Sequence, residues 1–424
     1  MGSAIFVKKI ILMFRNIFSL IVFLIVLIGF EAYVYYGVKS YYSKKKSFGR
    51  QFVKVIYFLL LALSTLSFII IIFLGSGIKN NVLNFFIAAI FINFTSKLFF
   101  VSALLIDDLR RLLLVLKRLL IPNKKSEEKK GISRSDFLTK MGIAVAAVPA
   151  LSLPLGMIYG PYNYTLHKKK VKSPNLPKSF SGLKIAQLSD IHVGSFYNKE
   201  AVNKGIDLLL AQKPDVIFFT GDIVNDRAIE MDDYYDVFSR LKAPLGVYSV
   251  LGNHDYGDYH QWETEEAKEE NFENVKGIHA KLGWRLLLDE HLYLEKGEDK
   301  IAVIGIENWG KGFHQEGDMS KAYAGCDAPF KILLSHDPSH WDEQVRKDFK
   351  DVDLTLAGHT HGAQIGIETH GFKWSPIQLR YEKWAGLYKE DNQYLYVNRG
   401  FGFLAYPGRL GIWPEVTILE LETT

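Results

Sequence analysis

The chain has 424 residues, 48% of them hydrophobic, 14% aromatic and 23% charged, with a formal net charge of +5. This composition excludes a mostly disordered chain, and 13 prolines beside 34 glycines exclude a collagen-like or Pro-rich fibre. A single cysteine, Cys326, excludes both an internal disulfide framework and a thiolate zinc finger. At about 150 residues per domain the length predicts two to three domains.

The overall charge conceals a split. Residues 1–180 hold 26 Lys+Arg against 6 Asp+Glu, net +20, and residues 181–424 hold 25 against 40, net −15. A basic total by itself suggests nucleic acid. Here the basic residues flank hydrophobic runs, so membrane topology accounts for them and no nucleic-acid partner is expected.

In chain order, Ile17–Tyr36 is an apolar run interrupted only by Glu31, and Phe52–Leu74 and Val82–Ile106 are similar in length. Each is long enough to cross a hydrocarbon core as a helix of about 20 residues. Gly142–Tyr159 is a weaker fourth candidate, Ala-rich and holding Pro149 and Pro154. Residues 1–160 are therefore expected to be a transmembrane region with helices at 17–36, 52–74, 82–106 and 142–159. Ten Lys and Arg lie between the third and fourth runs, five between the first and second, and only Lys79 between the second and third. The positive-inside rule then puts the first and third connectors in the cytoplasm, and everything after the fourth span outside it. Lys8, Lys9 and Arg15 run against that orientation for the N-terminus. Ser133–Lys140 (SRSDFLTK) resembles the n-region of a twin-arginine export signal, with one arginine, Arg134, and Ser135 in the second position. A basic cytoplasmic loop is the simpler reading, and both leave the C-terminal part outside. Lys97 falls in mid-span and Glu31 near a span end, and ionisable residues at such depth are suspects for a transport pathway.

The polar, Lys-rich stretch Tyr162–Lys178 reads as a linker over 161–180. Beyond it, Leu183–Leu188, Val216–Thr220, Val247–Leu251, Ile301–Ile306, Lys331–Ser335 and Leu354–Ala357 read as buried strands, and Gln393–Val397 and Glu415–Leu421 as late ones. Ala201–Gln212 and Met231–Leu241 have helical spacing. Strand alternating with helix predicts one α/β domain over 181–424.

Polar residues gather where these strands stop. Asp190 and His192 follow the first strand, Asp222 the second, and Asn253, His254 and Asp255 the third; His336-Asp337 and His359-Thr360-His361 follow two later ones. Strand ends are where open α/β sheets bind ligands. Carboxylate, amide oxygen and imidazole suit hard-to-borderline divalent metals. Asp190 and His192 are two residues apart, so an extended segment points both to one side, and His359 and His361 repeat that spacing. A carboxylate such as Asp222 can bridge two ions about 3.5–4 Å apart, and such a pair can deliver hydroxide to phosphorus and offset the charge on phosphoryl oxygens.

The ordered series D-x-H, G-D, G-N-H-D, H and G-H-x-H resembles the calcineurin-like metallophosphoesterase family over about residues 182–421. The tail Tyr396–Glu415 resembles a subgroup of membrane-attached bacterial phosphodiesterases, with Ala363 standing where that subgroup usually has a second glycine. The resemblance implies a four-layer αββα sandwich, two sheets flanked by helices. It implies two divalent ions (Mn, Fe, Zn or Ni), one held by Asp190, His192, Asp222 and His361, the other by Asp222, Asn253, His336 and His359. His254 would contact the phosphoryl group or protonate the leaving oxygen, with Asp255 orienting it. The expected activity is hydrolysis of a phosphodiester or pyrophosphate, with lipid-linked substrates included. The alternative is a UDP-2,3-diacylglucosamine hydrolase-like role in lipid A synthesis, which conflicts with an extracytoplasmic site. Because every ligand position and His254 are present, a non-catalytic binding module on this fold is disfavoured.

Other polar residues are expected to be structural. Asn225 and Asp226 read as a solvated turn or cap, Asp337 as a cap, and His260, His279, His291, His314, His340 and His370 as surface or packing histidines. Glu263–Glu270 reads as an exposed helix face. Trp309, Phe313, Phe401, Phe403, Tyr406 and Trp413 read as core.

Overall fold

The computed structural model describes residues 17–42, 47–74, 80–120, 134–313 and 315–424. It separates into two compact units, one ending at Leu155 and the other comprising Gly156–Thr424.

The first unit is helical, with α1 at Ile17–Tyr42, α2 at Ser47–Leu74, α3 at Asn80–Leu120 and the greater part of α4 at Arg134–Tyr159, whose last turn, from Gly156, belongs to the second unit. Within these, Phe48–Ile71, Val82–Lys117 and Lys140–Tyr159 are long and apolar enough to cross a membrane. Each run read from the sequence lies inside a helix, and the helices outrun it. For example, α3 continues past Ile106 through Arg110, Arg111 and Lys117. Of the residues that carry the orientation and the signal resemblance, Lys8, Lys9, Arg15, Lys44, Lys45, Lys46, Lys79, Lys124, Lys125, Lys129, Lys130 and Ser133 fall outside the described residues. Lys97 and Glu31 turn out to be partners, 2.6 Å apart, with the Lys97 side chain 8% exposed. The Tyr57 hydroxyl donates to the same carboxylate at 3.2 Å. An unpaired charge at this depth is costly, and pairing is the usual remedy. The pair thus accounts for both residues without invoking transport.

The second unit contains β1 (Thr165–Ser173), β2 (Lys184–Leu188), α5 (Lys199–Leu210), β3 (Val216–Thr220), β4 (Val247–Val250), β5 (Arg285–Leu286), β6 (Glu290–Lys296), β7 (Asp299–Gly305), β8 (Lys331–Leu334) and β9 (Leu354–Ala357). A hairpin of β10 (Ile367–Thr369) and β11 (Phe372–Trp374) follows, then β12 (Gly386–Glu390), β13 (Gln393–Val397) and β14 (Glu415–Thr423). One sheet runs β1-β14-β2-β3-β4-β5 and the other β12-β13-β9-β8-β7-β6. Ile185, Phe218 and Val250 of the first sheet and Val303, Ile332, Leu354 and Tyr396 of the second share one buried cluster, so the sheets pack face to face. The outer face of the first sheet packs on Val202, Ile206 and Leu209 of α5 and on Val275, Ile278 and Leu282 of the helix Glu265–Leu282. That of the second packs on Met319, Ala322, Trp341 and Val345. Helix, sheet, sheet, helix is the expected four-layer sandwich.

Two local readings are corrected. The Lys-rich stretch read as a linker carries β1, which pairs in parallel with β14 from Thr165↔Glu415 to Ser173↔Thr423. Lysines are tolerated there because an edge strand leaves one side in water. Met231–Leu241 is not one helix but a 3₁₀ turn, Ala228–Met231, and a single α turn, Tyr235–Phe238. Met231, Val237, Phe238 and Leu241 are all buried, so their spacing reflects two short turns that each reach the core.

Candidate metal centre

Five strand ends meet at one edge of the sandwich. The parallel pairs β2–β3 and β8–β9 align their carboxyl ends, which brings Asp190-His192, Asp222, Asn253-His254, His336 and His359-His361 together. Asp190, His192 and His361 form one group of ligand atoms within 4.8 Å of one another, and Asp222, His336 and His359 form a second. In the first, His361 Nε2 lies 3.2 Å from Asp190 Oδ1 and 3.0 Å from His192 Nε2. In the second, His336 Nε2 lies 3.1 Å from Asp222 Oδ2. That same Asp222 oxygen is 3.5 Å from His192 Nε2, so it stands between the two groups. Asn253 joins the second, its Oδ1 2.8 Å from His359 Nδ1.

The local backbone is bent to make this possible. Asp190, His192, Asp222, His359 and His361 all have positive φ, from 48° to 69°. Each such non-glycine residue costs on the order of 1–3 kcal/mol and persists only when its surroundings enforce it. Asp190 receives the His359 N–H on its carboxylate at 2.9 Å, which ties the β2 loop to the β9 loop. Gly358 must be glycine there, because a Cβ would stand 2.8 Å from Ser189 Cβ and closer still to the Asp190 carboxylate.

Electrostatics suit cations. Burial pushes His192 down to about 3 and His254 and His359 to about 4, so all three are neutral imidazoles with a lone pair to offer. Burial also opposes charge on His336, yet the Asp222 carboxylate beside it lifts that group to about 10. Burial would raise Asp222, but His336 and His254 hold it well below the carboxylate range. A proton is therefore drawn to the space where positive charge is wanted. His336 Nδ1 faces the Thr220 carbonyl at 2.7 Å, while its Nε2 is buried with no aligned hydrogen bond and is aimed at Asp222. A buried imidazole nitrogen 3.1 Å from a carboxylate oxygen, with further imidazoles beside it, fits a divalent cation.

All seven expected ligand residues are thus brought together, with His254 beside them. The His254 ring packs edge-on to His192, with centroids 4.9 Å apart, and its Nδ1 lies 2.7 Å from the Asn225 carbonyl. Nδ1–H therefore donates, and no hydrogen bond to Nε2 is seen among the described residues. Asp255 was expected to orient this ring; that expectation is corrected. Its carboxylate accepts from the backbone N–H of Asp222 (2.9 Å), Ile223 (2.9 Å) and Gly252 (2.8 Å), so it fastens the Asp222 loop. Asn225 and Asp226 are buried, not solvated. Asp337 does cap, accepting from Ser339 N at 2.8 Å, but its other oxygen lies 3.4 Å from His359 Nε2. His279 and His340 are buried packing residues, and His314 lies outside the described residues.

Three contacts carried no sequence signal. The Tyr381 hydroxyl is 2.9 Å from His359 Nε2. Tyr259 packs its ring 4.3 Å from that of His254. Arg409 is fully buried behind His361, 3.3 Å from its Nδ1, and also donates to the Gly400 carbonyl at 3.2 Å.

Residues 183–363 match the family described as "Calcineurin-like phosphoesterase", and residues 14–161 match "Probable Calcineurin-like phosphoesterase, transmembrane domain". The chain is 30% identical over 303 residues to the metallophosphoesterase YkuE of Bacillus subtilis (strain 168), covering 70% of this chain and 99% of that protein. It is 28% identical over 299 residues to the phosphodiesterase YaeI of Escherichia coli (strain K12), covering 68% and 99% respectively. A zebrafish (Danio rerio) transmembrane protein with metallophosphoesterase domain is 27% identical, over 72% of this chain and 67% of its own. The fold and site define a phosphoric ester hydrolase joined to membrane-spanning helices. The chain belongs to the calcineurin-like metallophosphoesterase family, whose members use divalent metals.

Proposed function

We propose that this protein is a dinuclear phosphodiesterase of the bacterial cell membrane, with a four-span anchor in residues 1–160 and a hydrolase domain outside the cytoplasm. Asp190, His192, Asp222 and His361 would hold one ion, and Asp222, Asn253, His336 and His359 the other. The observation that carries this reading is the placement of Asp222 Oδ2 between His192 Nε2 and His336 Nε2. Divalent cations there, whether Mn, Fe, Zn or Ni, would acidify water and offset charge on phosphoryl oxygens. The chain's own residues do the rest. With Nδ1–H held by the Asn225 carbonyl, His254 Nε2 is a bare lone pair, and it would serve as general acid once the anionic phosphoryl group beside it raises its pKa and it takes up a proton to hand to the departing oxygen. Asp255 holds the Asp222 loop, and Tyr381 and Asp337 hold the His359 ring. A membrane-resident phosphodiester fits a hydrolase attached to spans.

The test uses the full-length protein in detergent, stripped of metal and resupplied with Mn²⁺ or Zn²⁺, with bis-p-nitrophenyl phosphate and p-nitrophenyl phosphate as substrates. Metal-dependent diester cleavage that is lost in Asp222→Asn and strongly reduced in His254→Ala is expected. Absence of bound metal in the wild type would sink the reading. Orientation is tested by protease treatment of intact spheroplasts. Cleavage within 107–141 from outside would reverse the topology.

A further inference from the structure

We propose that the β10–β11 hairpin is a bilayer-seating surface of the hydrolase domain, its apolar face lying in the interfacial layer of the membrane that anchors the chain. The hairpin pairs Ile367↔Trp374, Glu368↔Lys373 and Thr369↔Phe372. Alternate residues of a strand share a face, so Ile367, Thr369, Phe372 and Trp374 lie on one side and Glu368 and Lys373 on the other. The charged side is the one turned to the protein. Glu368 accepts from the buried Arg399 through Nε at 2.9 Å and Nη2 at 2.5 Å, and Lys373 Nζ donates to Tyr388 Oη at 2.9 Å and to the Ala385 carbonyl. The apolar side is open, with Ile367 53%, Phe372 56% and Trp374 45% exposed. A hairpin built for water carries the opposite pattern. The Arg399 fork fixes this orientation, so the exposure is not a matter of side chains swinging out.

Position identifies what covers the face. The residue before β10, Gly366, donates its N–H to the Leu410 carbonyl at 2.9 Å, and Ile365 bridges Leu410 and Gly411. The adjoining Arg409 donates its N–H to the Gly156 carbonyl at 3.1 Å. Gly156 opens the last turn of the candidate span Lys140–Tyr159, and Ile158 and Tyr159 of that turn are 68% and 71% exposed. The loop that receives the end of a membrane span is thus the loop from which the hairpin rises. Tryptophan and other aromatics favour the headgroup boundary. A second copy of the chain or a soluble partner would not require this continuity. After the hairpin, the same segment passes the 92% exposed Leu379 and reaches Tyr381, whose hydroxyl touches His359. Seating the hairpin would therefore bring the mouth of the metal centre to the headgroup layer. The proposal rests on membrane anchoring and not on the identity of the substrate.

The test uses the full-length protein with its single cysteine replaced, Cys326→Ser, and a nitrobenzoxadiazole label on Phe372→Cys or, independently, Ile367→Cys. A label on Glu269→Cys, on an exposed helix elsewhere in the domain, is the control. The proteins are placed in nanodiscs of phosphatidylethanolamine and phosphatidylglycerol, with or without nitroxide-bearing acyl chains, and cleavage of bis-p-nitrophenyl phosphate checks the fold. Blue-shifted emission at 367 and 372, quenched at least twofold by nitroxide lipid while the control is unchanged, is expected. Quenching at 367 and 372 no greater than at 269 would overturn the proposal. So would a blue shift without nitroxide quenching, which would mean that protein covers the face. Because the readout is optical, failure here leaves the metal chemistry intact, and failure of that chemistry leaves the seating measurable.

Discussion

His254 and Asp255 are adjacent, and their carboxylate and imidazole do unrelated work. Asp255 accepts backbone N–H groups from Asp222, Ile223 and Gly252, so Asp255→Asn replaces an acceptor-only group with one that must turn a donor toward those amides. Hydrogen bonds to charged groups contribute about 1.5–3 kcal/mol each and act here as a unit. The expected outcome is a destabilisation of about 3 kcal/mol, read as a lower melting temperature of the metal-free protein, together with weaker metal retention measured by elemental analysis. His254→Gln keeps the fold and the metal content, and it lowers turnover of diesters with poor leaving groups by about 10²–10⁴, the usual contribution of a general acid. If His254→Gln instead lost its metal, the free-Nε2 role would be wrong. The candidate ligands were legible in the sequence because each ends a short β-rich run, where side chains of neighbouring strands must converge. Arg409 and Tyr381 were not, because each reaches the site from an irregular loop with no periodicity to read. The Asn225 carbonyl was invisible for a simpler reason: a backbone acceptor leaves no mark on residue type.

At the scale of elements, β14 carries a buried charge cluster that links it to the end of β13. Glu415 accepts from Tyr396 Oη at 2.6 Å and from Arg399 Nη1 at 2.5 Å. Burial alone would raise its pKa, but the Arg399 guanidinium overrides that and takes it from 4.5 down to about 2. A depressed carboxyl stabilises the fold above its unfolded value, and that contribution is lost as pH falls from about 4.5 toward 2. The shift corresponds to at most roughly 3 kcal/mol. Melting temperatures recorded from pH 7 to pH 3 should fall more steeply for the wild type than for Glu415→Gln, and parallel curves would refute the assignment. Strands buried on both faces, such as β3 and β9, could be read to the residue, since continuous apolar runs have few other uses. The short turns around Met231 and the small hairpin could not, because each is held by contacts distant in sequence.

For the whole molecule, joining an acidic hydrolase to basic, apolar helices was legible from charge and hydropathy alone. The pairing of Glu31 with Lys97 was not, since nothing local says which helices neighbour each other. Lys97→Met leaves Glu31 with Tyr57 as its one side-chain polar partner among the described residues, and removing one member of a buried pair costs about 3–5 kcal/mol. The double variant Glu31→Gln/Lys97→Met should recover part of that loss. The measurement is thermal unfolding in detergent of both single variants and the double. Strict additivity would mean the two charges do not interact.

The parallel edge strand β1 has a practical bearing on where the hydrolase can be cut free. A soluble fragment started after the Lys-rich stretch, near residue 180, would lose β1 and strip β14 of its neighbour along the full Thr165–Ser173 register. It would also lose the stacking of Tyr164 on Phe401, whose rings lie 4.4 Å apart. The bare edge would offer unpaired amides and carbonyls to any other strand in solution. Such a fragment should self-associate on size-exclusion chromatography, while one begun at Gly160 should elute as a discrete species. The border of the enzyme therefore lies upstream of the point where the chain turns from basic to acidic.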